Sequence, residues 1–361
     1  MQENKGTNKQ QNKLSGNDEW YDQYDIHVDP NQSPLRIDKF LMDRLNNVSR
    51  NKVQNSIRVG SVLVNEKQIK PNYKVRPSDQ IKVVLPRPSS EGRVIAQNIP
   101  LDIRYEDEDL LIVHKPAGLV VHPGIGHKSG TLVNALAYHM DRHETDNVEG
   151  NYQERMGLVH RIDKNTSGLL VVAKNEYALA HLAKQFYDHT IERTYYALIW
   201  GEPDETKGTV NAHLGRDPRH RKLFTVFPDG DSGKWAVTHY EVIEPMYYVS
   251  LIKCNLETGR THQIRVHMKH KGHPLFNDER YGGDRIRKGT VFSKYKFFVE
   301  NCFAMMPRHA LHAKSLGFIH PRTEEKMKFD SELPADFNNL LGAWRNYVHH
   351  RKEISSKNNL L

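Results

Sequence analysis

The sequence is poor in cysteine: its 361 residues include only two, Cys254 and Cys302. Two cysteines cannot form the disulfide framework of a small secreted protein, so we expect the chain to act in a reducing, cytoplasmic compartment. No run of apolar residues approaches the roughly 20 that a transmembrane helix requires, which predicts no membrane partner. Residues 1–19 are polar and lack the apolar core of a secretory signal.

Motifs for cofactors and metals are missing as well. The segment 124–129 superficially resembles a phosphate loop, but His127 and Ser129 stand where the phosphate-loop and dinucleotide motifs require glycine, so the segment predicts a turn. The chain contains 21 histidines without a metalloprotease or cysteine-based spacing. We therefore expect no metal and no nucleotide cofactor, and interpret as structural or RNA-contacting even the three histidines that share one short segment, His262, His267 and His270.

Negative charge is scarce in one block of the chain. Residues 34–88 contain 12 lysines and arginines against 4 acidic residues, an excess equal to the net charge of +8 of the whole chain. A solvated basic face is the ordinary explanation for such a block. Here the basic residues alternate with apolar residues at helical spacing, which favours a folded module that binds nucleic acid.

The pattern within this block predicts two short helices followed by small strands. Residues 1–33 are rich in Gln, Asn, Asp and Gly and predict a disordered tail. Ile37, Phe40 and Leu41 then recur at helical spacing, and Ser49 is a suitable N-cap for a second helix. Six basic residues lie on or beside these helices, where they can face phosphates: Arg36, Lys39, Arg44, Arg50, Lys52 and Arg58.

This block resembles the S4 domain, an RNA-binding domain named after a ribosomal protein. The resemblance covers nearly all of residues 34–88 and implies binding to structured RNA through the paired helices. Residues 89–99 predict a linker, because proline, serine and glycine are frequent there.

The remainder of the chain mixes strands and helices. Its composition predicts only a mixed α and β domain over residues 100–348, and residues 349–361 predict a frayed basic tail. Two long strand patterns separated only by Pro245 and Met246 predict an antiparallel hairpin. Amphipathic patterns predict helices at 131–140, 176–189 and 334–347.

The segment 157–174, GLVHRIDKNTSGLLVVAK, carries the strongest chemical signal. Asp163 lies in a polar loop between Arg161 and Lys164, immediately before a strand whose LLVVA pattern predicts burial. An aspartate in such a loop is more often structural than catalytic, because it caps a turn or pairs with an arginine. The loop by itself leaves both roles open.

The whole string resembles the HRLDxxTSG…AK signature of the Rlu family of RNA pseudouridine synthases. Two further segments, 192–201 (ERTYYALIWG) and 257–268 (ETGRTHQIRVHM), match family motifs in the same order, and the match spans roughly residues 100–345. The sequence departs from the pattern at Ile162, where leucine is usual, and at Asn277, where glycine commonly precedes the aspartate.

The resemblance implies an α+β fold, with a mixed, largely antiparallel sheet and a small S4-like domain at the N-terminus. It implies that Asp163 is the catalytic carboxylate, Arg265 its ion-pair partner and Tyr195 the active-site phenol. It also implies that Arg161 takes the position that the extruded base leaves vacant. The carboxylate can attack the base or act at the ribose, and an isomerisation needs no cofactor.

The same resemblance predicts structured RNA as the partner, with large-subunit ribosomal RNA or a pre-ribosomal particle as the preferred substrate and a monomeric enzyme. Transfer RNA is the alternative substrate within the same activity. A catalytically silent RNA-binding assembly factor is the alternative from another class, and the intact Asp163, Tyr195 and Arg265 argue against it.

Overall fold

The computed structural model describes residues 12–14, 20–46, 48–87, 94–124, 126–140, 156–290 and 292–358. Its helices are α1 (Ile37–Arg44), α2 (Arg50–Arg58), α3 (Leu132–His139), α4 (Glu176–Tyr187), α5 (Gln263–His270), α6 (Ser293–Met305) and α7 (Ala335–Asn358). Its strands are β1 (Asn12–Leu14), β2 (Tyr21–His27), β3 (Leu35–Arg36), β4 (Val62–Val64), β5 (Lys67–Gln68), β6 (Lys74–Val75), β7 (Gln80–Pro86), β8 (Ile103–Glu106), β9 (Leu110–Lys115), β10 (Ser167–Ala173), β11 (Glu192–Trp200), β12 (Lys207–Arg216), β13 (Phe224–Phe227), β14 (Lys234–Met246), β15 (Val249–Leu256), β16 (Leu311–Ile319) and β17 (Lys326–Asp330).

Residues 20–87, called the N-terminal module below, form the predicted pair of helices on a small sheet. Ser49 caps α2, since its hydroxyl accepts a hydrogen bond from the Lys52 amide at 3.2 Å. The apolar positions Ile37, Phe40 and Leu41 of α1 are fully buried. Both helices and the sheet, in the order β1-β2-β7-β4-β5, share one core.

The predicted disordered tail is wrong for the part of residues 1–33 that carries aromatic residues. Strand β2 pairs antiparallel with β7 over its whole length, from Tyr21 opposite Pro86 to His27 opposite Gln80. Tyr21 and Ile26 are buried. The polar average of the first 33 residues conceals this strand, because its pairing partner lies about sixty residues further along the chain. Residues 1–11 and 15–19 lie outside the described residues.

Residues 94–358, called the main domain below, are built on one long mixed sheet with the order β13-β12-β14-β15-β11-β16-β10-β9-β8, with β17 also paired to β16. Neighbouring strands run antiparallel except β10 and β16, which run parallel. The fold is therefore α+β with a mixed, largely antiparallel sheet. The predicted hairpin forms between β14 and β15, although Pro245 and Met246 end β14 and the turn lies at Tyr247 and Tyr248.

Strand β10 is buried along its whole length and separates two cores. Successive side chains of a strand point to opposite faces of the sheet, so Leu170 and Val172 join one core with α3, and Leu169 and Val171 join another with α4. A third core at the other end of the sheet holds α6 and α7 around Trp344. These layers hold the N-terminal end of β10 in a fixed position.

Two predicted boundaries of this domain need correction. The part of the predicted linker that the structure describes is packed: Val94 is buried in the core, and the Asn134 side-chain amide donates to the Ile95 carbonyl at 2.7 Å. The predicted C-terminal tail is mostly helix, since α7 continues through Asn358. Local composition misled for the linker, because an extended segment gains its order from the core it covers. Residues 88–93 lie outside the described residues.

The N-terminal module lies directly against the main domain. Helix α2 packs against α4, and Tyr21 belongs to the same apolar cluster as Leu179 and Phe186 of α4. This contact brings the start of the module to the cleft described below. None of the helices in the described ranges is long and apolar enough to span a bilayer.

Candidate active site

The loop that carries Asp163 leads into β10 through a glycine that the packing requires. Gly168 has a φ of 120°, and a Cβ atom there would lie 2.2 Å from the carbonyl oxygen of Ala313 on β16. Only glycine lets the two parallel strands approach at this point. The glycine of the Thr-Ser-Gly part of the motif thus fixes the point at which the loop joins β10.

Two buried basic side chains and a histidine hold this loop in place through hydrogen bonds. The ammonium of Lys115, fully buried, donates to the carbonyls of Lys164 at 3.0 Å, Leu119 at 2.9 Å and Pro116 at 2.8 Å. Arg308 donates to the Asn165 carbonyl at 3.0 Å, and His309 contacts the Thr166 hydroxyl at 2.9 Å. Burial lowers the pKa of Lys115 to about 7, although the charge of Asp163 opposes that shift.

Arg265 on α5 links two carboxylates. Its Nη1 donates to Asp163 Oδ2 at 2.8 Å, while Nε and Nη2 bind both oxygens of the fully buried Asp278 at 2.7 and 2.8 Å. Burial alone would raise the pKa of Asp163, but the nearby His262, Arg265 and His309 lower it well below its ordinary value. Asp163 is therefore ionised at neutral pH, and its side chain stays 20% exposed.

His262 approaches the other oxygen of Asp163. It caps α5 in the left-handed region with a φ of 58°, and its Nε2 lies 3.9 Å from Asp163 Oδ1. Its Nδ1 is 2.7 Å from the hydroxyl of Tyr281. Burial lowers the pKa of His262 to about 4, so the ring is neutral at pH 7. Oδ1 of Asp163 accepts no hydrogen bond from any described residue and faces open space.

That space is a cleft of about 790 Å³, including solvent at its mouth, with both Asp163 and Tyr195 in its wall. Tyr195 lies on β11, where the register with β16 shifts, and is 8% exposed. Burial raises the pKa of Tyr195, as does the charge of Asp163, so its hydroxyl keeps its proton at neutral pH.

Arg161 lies in the wall of the same cleft, and its side chain is exposed. It makes no hydrogen bond or ion pair with other residues in the described ranges. The structure thus brings together all four side chains that the sequence points to: Asp163, Tyr195, Arg265 and Arg161.

The six basic residues of the module differ in their surroundings. Lys39, Arg50 and Arg58 are exposed, while the other three, Arg36, Arg44 and Lys52, are partly buried. Arg36 and Arg50 pair with the buried Asp38, and the Lys52 ammonium donates to the Pro86 carbonyl at 2.8 Å. These contacts hold the side chains in place without removing them from the surface.

Sequence reasoning missed Asp278 and Trp20. Asp278 lies ten residues after the third matched segment, and only the fold shows that it orients Arg265. Trp20 lies within the predicted tail and lines the cleft beside Tyr21. The departure at Asn277 has a structural reason: its φ is 56°, a left-handed conformation that asparagine tolerates better than most residues.

The histidines considered as metal ligands go to different places: His267 contacts the Thr238 hydroxyl in the core, and His270 is exposed. A possible ion-binding group in the described ranges consists of Asp107, Asp109 and His320. Its carboxylates already accept hydrogen bonds from protein donors, and it lies outside the cleft.

Comparisons with known proteins agree with this geometry. Residues 109–270 match the family model for RNA pseudouridylate synthase, and residues 35–81 match the S4 domain. An uncharacterized RNA pseudouridine synthase of Chlorobaculum parvum is 44% identical over 88% of this chain and 96% of its own length. The ribosomal large subunit pseudouridine synthase D of Zymomonas mobilis is 43% identical over 84% of this chain and 92% of its own.

A solved structure shows the same fold. Human RNA Pseudouridylate Synthase Domain Containing 4 is 25% identical, with a TM-score of 0.53 over 67% of this chain and 92% of that one. Family motifs, relatives and fold all point in one direction, and the chain therefore belongs to the RNA pseudouridine synthases and carries an S4 domain ahead of its main domain.

Proposed function

We propose that Asp163 is the catalytic carboxylate that converts uridine to pseudouridine. One observation carries this proposal: Asp163 is ionised and rigidly held through Oδ2, while Oδ1 faces the cleft without a hydrogen-bond donor among the described residues. A carboxylate that keeps one oxygen available can act as nucleophile or base. The buried Asp278 holds Arg265 in place, so the pair does not depend on substrate for its geometry.

The reaction rearranges the uridine without changing its composition. The N1–C1′ bond breaks, the base turns, and a C5–C1′ bond forms, while C5 loses a proton and N1 gains one. A base within paired or stacked RNA must first leave the stack, which costs a few kcal/mol. The proposal therefore needs an ionised group beside the base, a proton relay and a residue that fills the vacated position.

Tyr195 and Arg161 are the candidates for the two remaining roles. The protonated phenol of Tyr195 lies in the wall of the cleft, where it can stack on the extruded base and relay a proton. Arg161 is exposed and forms no hydrogen bond or ion pair with described residues, which leaves it available to enter the RNA as the base leaves. The mechanism uses no cofactor.

We further propose that the substrate is large-subunit ribosomal RNA, free or within a pre-ribosomal particle, and that a monomer acts on it in the cytoplasm. Support comes from relatives named ribosomal large subunit pseudouridine synthase D in Zymomonas mobilis, Nitrosomonas europaea and Neisseria meningitidis, at 38–43% identity. The exposed Lys39, Arg50 and Arg58 of the S4 domain supply cations for structured RNA.

The test is to map pseudouridine in ribosomal and transfer RNA of a strain that lacks the gene, and of the same strain that expresses wild-type protein or the variant Asp163→Asn. We expect specific large-subunit sites to disappear and to return only with the wild-type protein. Sites restored in transfer RNA alone would make transfer RNA the substrate. Restoration of the same sites by folded Asp163→Asn would remove Asp163 from the mechanism, and tight ribosomal RNA binding without any restored site would indicate an assembly factor.

A further inference from the structure

Arg193 of β11 is a buried cation with no carboxylate partner in the part of the chain that the structure describes. Its side chain is only 7% exposed, yet it forms no ion pair with the described residues. Burial lowers the pKa of Arg193, although the guanidinium stays charged at neutral pH. A buried charge without a counter-charge is costly, so natural proteins seldom keep one without a reason.

The hydrogen bonds of Arg193 use only part of its donor set. Nη2 donates to the backbone carbonyls of Glu257 at 2.9 Å and Leu256 at 3.5 Å. Nε is buried and has no acceptor, and Nη1 donates to no acceptor among the described residues. The bonds to these two carbonyls account for one of the three guanidinium nitrogens. They do not require a positive charge, because a neutral side-chain amide could donate to the same carbonyls.

The unused Nη1 lies at the wall of the cleft. A Cβ atom at Gly259 would lie 2.5 Å from Nη1, and both Gly259 and Arg193 line the same cleft as Asp163. The φ of Gly259 is outside the left-handed region, so its backbone does not require glycine. Glycine is needed here because Nη1 itself occupies the space that a side chain would take.

The charges of this wall are unbalanced. Asp163 is the one acidic side chain that lines the described cleft, and its charge is already shared with Arg265. Arg161 and Arg193 add two further cations that form no ion pair with the described residues. An enclosed site with surplus guanidinium groups and aromatic walls suits the backbone of a single RNA strand, whose phosphates match the planar donors of arginine.

We propose that Arg193 binds a phosphate of the substrate RNA next to the extruded nucleotide, through Nη1, which passes beside Gly259 at the wall of the cleft. Arg193 is then a substrate-binding residue that fixes the strand while the base enters the cleft. The proposal rests on the chain's being an RNA pseudouridine synthase. It does not depend on the role of Asp163 or on which RNA is modified.

The test measures binding in the Asp163→Asn background, where turnover is removed, with a synthetic oligonucleotide that spans a uridine modified in cells. Fluorescence anisotropy over a range of KCl concentrations gives the affinity and its salt slope. Arg193→Gln should weaken binding about tenfold, the cost of a charged hydrogen bond. It should also reduce the slope of log K against log salt by about 0.7, the value for one phosphate of a single strand. Arg193→Lys should keep the slope.

Gly259→Ala provides a second route that leaves Arg193 in the protein. The added Cβ atom displaces Nη1, so Gly259→Ala should weaken RNA binding by the protein that retains Arg193. In the protein with Arg193→Gln, the same substitution should cause no further loss of affinity. Thermal unfolding of each variant separates this effect from misfolding.

Oligonucleotides with single methylphosphonate linkages identify the phosphate. One neutral linkage beside the target uridine should weaken binding by the protein that retains Arg193 and leave Arg193→Gln unaffected. Unchanged affinity and salt slope in folded Arg193→Gln would overturn the proposal. So would a loss of affinity without a change in slope, which would indicate contact with a base oxygen. A transfer RNA substrate would change the oligonucleotide but not these expectations.

Discussion

The two regions of the molecule each hold an ionised aspartate, but only one of the two keeps a carboxylate oxygen that is available to a substrate. Asp38 in the N-terminal module is fully buried and accepts five hydrogen bonds from Arg36, Lys39, Arg50 and Gln54. Burial would raise the pKa of Asp38, but hydrogen bonds from Arg36, Gln54 and Arg50 lower it well below its ordinary value.

Asp163 in the main domain also has a strongly lowered pKa, but it accepts a side-chain hydrogen bond only at Oδ2 among the described residues. Ionisation thus does not distinguish a structural carboxylate from a reactive one. What distinguishes them is whether an oxygen remains free to meet a substrate. Asp38 organises the basic surface around it, whereas Asp163 faces a cleft.

The largest expected effect is the contrast between Asp163→Asn and Asp38→Asn. Asp163→Asn removes the proposed catalytic carboxylate and should lower pseudouridine formation at least about a thousandfold, with RNA affinity within a few-fold of wild type. Asp38→Asn leaves the cleft intact and should keep the rate on a short oligonucleotide. It should instead lower the free energy of unfolding by about 1–2 kcal/mol, since its arginines are half exposed. Single-turnover assays and urea unfolding give both quantities, and equal loss of activity in the two variants would break the comparison.

Asp278 sharpens the comparison, because it lies in the main domain and both of its carboxylate oxygens accept hydrogen bonds from Arg265. Asp278→Asn leaves the buried Arg265 without its bidentate partner, so we expect a loss of about 3 kcal/mol in the free energy of unfolding. Asp163→Asn should cost clearly less, since Arg265 keeps Asp278. Urea unfolding followed by the fluorescence of the buried Trp200 and Trp344 measures the difference. The reverse order of stability would mean that Asp163 is the main structural partner of Arg265.

A pH titration should separate the two regions. Burial lowers the pKa of His160, His309 and His312 to about 3 and that of His262 and His267 to about 4. All five belong to the main domain. Because these folded-state pKa values lie below the unfolded value of about 6.5, their contribution to stability is complete above pH 6.5 and is lost as the pH falls towards the folded-state values of about 3 and about 4. For each of these histidines, the free energy of unfolding should fall by on the order of 1 kcal/mol between pH 6.5 and 5.

The N-terminal module should lose stability only at a lower pH than the main domain. Its one histidine within residues 20–87, His27, is exposed, and its buried carboxylates Asp38 and Asp79 have lowered pKa values, so their contribution is lost only below about pH 4. Hydrogen exchange with mass spectrometry, corrected for the intrinsic rate, reports each region separately. Parallel loss of protection in both regions from pH 6.5 would show that the module unfolds with the main domain.

The smallest effect should come from the exposed cations of the module. Replacing Lys39 and Arg58 with glutamine should weaken binding to folded RNA a few-fold and reduce the salt slope by about 1–2, because up to two phosphate contacts are lost. The rate on a short oligonucleotide should not change. Point variants test this better than deletion of residues 1–88, since that deletion would also remove Tyr21 and α2 from the surface of α4. An unchanged slope would exclude these two residues from the RNA surface.

The sequence was enough for the helices of the module and the buried strand β10, and its resemblance to a known family was enough for the α+β class. Apolar spacing at Ile37, Phe40 and Leu41 predicts a helix because it matches the helical repeat. The Asp163 loop stood out as a candidate through its matched motif, and Tyr195, Arg265 and Arg161 with it. These signals are local, so one segment carries each of them.

Tertiary structure decided what depends on distant partners. Strand β2 is ordered because β7, about sixty residues later, pairs with it, and no local composition reveals that pairing. Asp278 is important because it reaches Arg265, and Arg193 is noteworthy because no described carboxylate reaches it. Asp38 and Asp163 look alike as aspartates near arginines. Only the fold shows which one is saturated with donors and which keeps an open oxygen, because that depends on how many groups converge in space.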